Sequence, residues 1–110
     1  MCGIDMGVVV GAHIYPVSAP DSVDCVMNGL ALCQNHHTVF DNHKIWIEPS
    51  SKEIKFHPDI IQEAMSSPMT KLFIDGTFAT LAEPVSDDCQ PQEEMFVRRN
   101  EFFNGKYEWV

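Results

Sequence analysis

The stretch NGLALCQNHHTVFD, residues 28–41, decides the fold. An apolar run, Gly29 to Leu32, leads straight into Cys33, two adjacent histidines and Asp41. The run is short and apolar and reads as a strand. QNHHTVFD then reads as a short helix, with Asn35 as its cap. His37 and Asp41 are four residues apart, so a helix puts them on one face. Cys33 and His36 are separated by the two-residue gap of a zinc half-site.

Upstream, GVVVGAHI reads as a strand carried by β-branched Val8, Val9 and Val10, with His13 at its end. Pro16, Pro20 and the Ser and Asp residues near them mark a loop. Asn28 stands just ahead of the second strand. Downstream, KIWIEPSSKEIKFH predicts a hairpin: Ile45 and Ile47 alternate with other residues, Pro49 to Lys52 turn, and Ile54 and Phe56 resume. PDIIQEAMSS predicts a helix opening on Pro58 and Asp59, with Ile60, Ile61, Ala64 and Met65 as its buried stripe. KLFIDGTF predicts at most a short strand and a turn at Asp75-Gly76. EPVSDDCQPQ reads as a loop. A last helix is expected from about Pro91 to Asn104, with Glu93 and Glu94 at its positive end, Gly105 as its stop, and Met95, Phe96, Phe102 and Phe103 packing inward.

With 110 residues, 45% of them apolar, the chain suits one domain with a modest core. No apolar run is long enough to span a bilayer, and MCGIDMG lacks the basic start of a signal peptide. A soluble cytoplasmic protein is expected. The net charge of −9 disfavours unaided nucleic-acid binding, because phosphates are met mainly by Lys and Arg. Within residues 1–50 the only such residue is Lys44. Binding to DNA would need metal ions or another domain. Of the four cysteines, Cys25 and Cys89 read as ordinary thiols. Nothing points to secretion, and intracellular cysteines near histidines are more often metal ligands than disulfide partners.

AHIYP, NGLALC and HHTVFD follow one another in that order. A histidine, an asparagine and a histidine on strand, strand and helix resemble the HNH endonuclease motif, a ββα-metal finger. The wider pattern is similar to the restriction-type subgroup, which reads approximately AHI-P, NGL-LC and HH--FD. HPDIIQ, DGTF, EPVSDDCQP and RRNEFF resemble the subgroup's continuation more weakly. The resemblance implies an α+β fold: a ββα-metal core with an added β-hairpin and two flanking helices, in a single domain over 1–110. It implies a hydrolase, a metal-dependent DNA endonuclease. His13 would be the general base and Asn28 the residue that fixes the inter-strand loop, while His37 and Asp41 would hold a divalent metal, Mg²⁺ or Mn²⁺. Histidine suits the first role because imidazole titrates near ~6.5 and is largely neutral at cellular pH. Asparagine suits the second because its amide both donates and accepts.

Two departures follow from the same resemblance. Many HNH enzymes carry an Asp or His ligand immediately before the base, where this chain has Ala12, a feature shared by the AHI subgroup. Many also hold a structural zinc between two cysteine pairs. Cys2, Cys33 and His36 are candidates for that zinc, and the partner of Cys2 would fall before residue 1. Either the chain is a fragment of a longer protein, with further domains upstream, or the zinc site is incomplete or absent. A homodimer is a further expectation about assembly. The competing reading is a non-catalytic, zinc-stabilised module that binds DNA or protein. Each residue also has an ordinary structural reading: a strand-end histidine, an Asn-Gly turn, a surface i,i+4 pair. His43 is expected in solvent and Arg98 and Arg99 on a solvated helix face. Trp46 and Trp109 are assigned to packing.

Overall fold

The computed structural model describes residues 1–3, 9–16, 18–22, 28–82 and 93–110. Val8, Cys25, Cys89, the loop 83–92 and the helix start at Pro91 lie outside the described residues. The order is β1 (Val9–His13), β2 (Gly29–Cys33), α1 (Gln34–Asp41), β3 (Ile45–Ile47), β4 (Ile54–Phe56), α2 (Pro58–Ala64), α3 (Pro68–Asp75) and α4 (Glu93–Phe102), closed by a 3₁₀ turn at Asn104–Lys106. This is the expected α+β class, a ββα core with a hairpin added.

β1 and β2 pair antiparallel, Val9 opposite Cys33 and His13 opposite Gly29. The register brings the end of β1 to the start of β2, so His13 lies beside Asn28. Strand alternation turns Ala12 inward, where it is buried, and leaves His13 exposed. Helix α1 follows β2 without a loop. Its N-cap is Cys33, not Asn35, and no side chain caps it. The helix begins two residues sooner because the chain turns directly at the strand's last residue. β3 and β4 form the expected hairpin, Ile45 opposite Phe56 and Ile47 opposite Ile54.

Ile14, Leu32, Phe40, Ile45, Ile47 and Phe96 anchor one apolar core drawn from β1, β2, α1, β3 and α4. Among the described residues the flanking helices number three, not two. The extra one, α3, replaces the strand expected at KLFIDGTF. Its start signal is local: Ser67 caps it by accepting from the Thr70 N–H, Pro68 opens its first turn, and Gly76 ends it. Helix α2 begins as expected at Pro58, capped by the His57 ring, which accepts from the Asp59 N–H. Its apolar stripe is not buried. α2 packs chiefly on α3, and Ile61 is 49% and Met65 84% exposed. In α4, Met95 and Phe96 are buried as expected, whereas Phe102, at the helix end, is exposed and Phe103 is half-buried. No helix among the described residues is long and apolar enough to cross a membrane.

Candidate active site and metal centre

Asn28 is fully buried. Its side-chain Oδ1 accepts from the Tyr15 N–H at 2.8 Å, and its Nδ2 donates to the Tyr15 carbonyl at 2.9 Å. Its own carbonyl accepts from the Ile14 N–H at 3.0 Å. One amide therefore reproduces both bonds of a missing strand partner at Tyr15, just past the last paired residue of β1. The backbone after His13 is clamped in place. Tyr15 is fixed again by its hydroxyl, which donates to the Pro20 carbonyl at 2.6 Å.

His13, His37 and Asp41 line one cleft of about 300 Å³, together with His43, Arg99 and Phe103. His37 Nε2 and Asp41 Oδ2 lie 3.1 Å apart, and both side chains reach solvent. Adjacent ligands of an octahedral ion with bonds of about 2.1 Å are separated by roughly 3.0 Å, so this imidazole–carboxylate pair fits two neighbouring positions on one hard divalent ion.

The far wall is made by residues outside that constellation. Arg99 is buried: Nη1 donates to the Ile14 carbonyl at 2.9 Å, Nη2 to the Phe40 carbonyl at 2.9 Å and Nε to the Tyr107 hydroxyl at 3.0 Å. Its guanidinium lies 3.8 Å from the Phe40 ring centre, a cation–π contact. Arg99 thereby ties α4 to the strand end behind His13 and to the end of α1. The expectation of a solvated face holds only for Arg98, which is half-exposed and pairs with Glu94 on its own helix. The signal for Arg99 was in the helix period: with Met95 and Phe96 inward, the residue three and four places on must face inward too.

His43 was also expected in solvent and is half-buried. Its backbone has φ = 60°, and its ring packs 4.4 Å from Phe103 with Nδ1 at 3.0 Å from the Tyr107 hydroxyl. Burial, then the Arg99 and Lys106 charges, hold its pKa below the usual histidine value. Because Arg99 Nε can only donate to Tyr107, the phenol proton is free to go to His43 Nδ1, which leaves Nε2 protonated.

Residues 1–48 match the HNH endonuclease family. Strand, strand and helix of the HNH unit are thus β1, β2 and α1, with His13, Asn28 and His37 in the motif's order. The match is to a family of nucleases and supports a nuclease-type domain; it covers 48 of the 110 residues. Comparison with curated proteins and with solved structures returned no match. Arg99, Tyr107 and Phe103 lie outside the matched residues, so the HNH unit's cleft is completed by chain beyond the motif.

The HNH unit carries a second cluster at the other end of the β1–β2 pair, where Cys33 stands opposite Val9. The ligand atoms of Cys2, Cys33 and His36 all lie within 4.8 Å of one another. The two Sγ atoms are 3.7 Å apart, against about 3.8 Å for two thiolates on tetrahedral zinc with 2.3 Å bonds. His36 Nδ1 is 3.1 Å from Cys33 Sγ, shorter than the roughly 3.6 Å that zinc would set between them, so the ring would withdraw by a few tenths of an ångström on binding. The tautomer suits a ligand. The Thr77 hydroxyl donates to the Phe73 carbonyl at 2.8 Å, so its oxygen accepts from His36 Nε2 at 2.8 Å. The Nδ1 lone pair then points toward the thiols, with the other ring nitrogen held by a neighbour as metal-bound histidines commonly are. Burial, aided by the positive amino terminus, pushes the His36 pKa down to about 4. The ring is neutral at cellular pH and available to a metal. It lies against Phe73, centroids 4.4 Å apart.

Proposed function

We propose that this chain is a metal-dependent DNA endonuclease domain, of the restriction-type HNH subgroup, in which His13 acts as general base, Asn28 as positioning residue and His37 with Asp41 as the ligands of one divalent ion, Mg²⁺ or Mn²⁺. The observation that carries the reading is the single cleft onto which His13, His37 and Asp41 all face. When bound, the ion would neutralise charge on the scissile phosphate and the leaving oxygen. His13, exposed at the strand end, takes the proton of the attacking water. Asn28 holds the backbone behind it, so the imidazole need not be ordered when the strand arrives. Cys2, Cys33 and His36 hold a structural zinc that joins the chain's first residues to the start of α1. Residues 1–110 act as a single domain.

The test is nicking of supercoiled plasmid with Mg²⁺ or Mn²⁺, with and without chelator, beside His13→Ala. Chelator-sensitive nicking that disappears in the variant is expected. Equal behaviour of variant and wild type refutes the assignment. A second reading is favoured by the thiol–imidazole cluster: a zinc-stabilised binding module with no hydrolytic step. It predicts stoichiometric zinc and no nicking by the wild-type chain under any of these conditions.

A further inference from the structure

We propose that a second cleft, contiguous with the first through His43, is the subsite for the DNA strand's neighbouring phosphate and nucleoside, so that the backbone runs from His13 across His43 to Lys106; this rests on the nuclease reading. The cleft is about 400 Å³ and is lined by His43, Lys44, His57, Lys106, Glu108 and Trp109, among others. His43 belongs to both clefts and forms the ridge between them.

Three observations point to a phosphate-bearing ligand. The first is the distribution of the few cations. The chain has seven Lys and Arg residues against sixteen Asp and Glu, so a steered anion must find the local exceptions. Lys71 pairs with Asp75 and Arg98 with Glu94. Lys52 donates to the Pro49 carbonyl, Lys55 sits over Trp46, and Arg99 is buried in its network. Lys44 and Lys106 remain, and both line this cleft. Lys106 has no carboxylate partner among the described residues. Lys44 has Asp59 at 3.7 Å, but that carboxylate is 72% exposed, and such surface pairs exchange readily for a better partner. Glu108 is the opposing charge on the lining itself.

The second observation is the aromatic wall. The Trp109 indole is fixed by donating Nε1 to the Lys106 carbonyl at 2.9 Å, and it lies 5.1 Å from the His57 ring. A fixed, half-exposed indole beside two lysines offers apolar surface to a sugar or base and charge to its phosphate. The third is His43 itself. A non-glycine residue at φ = 60° is held there by its surroundings at some cost, and what holds it is the Phe103 ring and the Tyr107 hydroxyl. The strained backbone sets on the ridge an imidazole whose Nδ1 is engaged by the Tyr107 hydroxyl, so Nε2 is the ring atom left for a phosphate oxygen passing between the clefts.

The experiment measures binding of a labelled short DNA duplex by anisotropy across a salt series, in the His13→Ala background so that the strand is not cut. Lys44→Gln combined with Lys106→Gln is expected to weaken binding at least tenfold at low salt. The slope of log affinity against log salt should fall by about two, one for each lost phosphate contact. Lys71→Gln, on α3 away from the cleft, should change neither. With Trp46→Phe leaving Trp109 as the reporter, duplex should quench the indole. A double variant that binds with wild-type affinity and slope overturns the subsite while leaving the nuclease reading intact. A wild-type chain that neither binds duplex nor nicks plasmid overturns both.

Discussion

Replacing Asn28 by Ala should cost this domain a large share of its stability. The side chain is fully buried and makes bonds of 2.8 and 2.9 Å to the N–H and carbonyl of Tyr15, itself buried. Alanine leaves the Tyr15 N–H without a partner and the Tyr15 carbonyl with only the long, 3.3 Å bond from the Ser22 hydroxyl. The orphaned N–H costs about 1–3 kcal/mol and the lost bond to the carbonyl about 0.5–1.5 kcal/mol, so the loss should be roughly 2–4 kcal/mol against a total of about 5–15 kcal/mol for a domain of this size. Urea unfolding followed by circular dichroism reads it directly. Asn28→Asp sharpens the test. Its carboxylate can accept from the Tyr15 N–H but confronts the Tyr15 carbonyl, so burial and that oxygen raise its folded-state pKa above the ~3.9 of the unfolded chain. With the folded pKa raised, the variant is at its most stable below about pH 4, where the protonated acid can donate to the carbonyl. It weakens as pH rises through the folded value. A loss under about 1 kcal/mol for Asn28→Ala, or no pH dependence in Asn28→Asp relative to wild type, refutes the clamp.

Arg99→Lys should destabilise by about 2–4 kcal/mol in thermal unfolding, because one ammonium cannot reach the Ile14 and Phe40 carbonyls and the Tyr107 hydroxyl together. The chain should bind one zinc by elemental analysis and, loaded with Co²⁺, show thiolate-to-cobalt absorption that Cys33→Ser removes while His37→Ala leaves it intact. The Glu48 carboxylate, held by the Ser50 hydroxyl and the Ser50 and Ser51 N–H groups, should titrate at about 2 by NMR and move upward in Ser50→Ala. Since its folded pKa is depressed, what it contributes to the hairpin turn is present above the ordinary carboxylate range and lost as pH falls through about 2.

The HNH unit was legible because its signals are local. Val9 and Val10 before His13, the run Gly29 to Leu32, and the i,i+4 pair of His37 and Asp41 each declare an element within a few residues. The hairpin 45–56 declared itself through alternation and Pro49. Helix α3 was missed although Ser67-Pro68 marks its start, because a short apolar segment ending in Asp-Gly satisfies a strand-and-turn pattern equally well. The stripe on α2 was read correctly as a pattern and wrongly as buried. Periodicity says which residues share a face, not whether anything covers it. His43 and Arg99 were placed in solvent because their partners, Phe40, Phe103, Tyr107 and Ile14, come together only in the folded chain. For Cys2 and Cys33, 31 residues apart, only the family likeness suggested a shared site.

Arg99 Nη1 meets the carbonyl of Ile14, 85 positions away in sequence. A bond of that span is closed late, since a long loop must be ordered first. During synthesis the motif leaves the ribosome well before α4 exists. A nascent chain therefore displays His13, His37 and Asp41 on an unfinished wall, and the cleft acquires its shape only when α4 arrives to lock it.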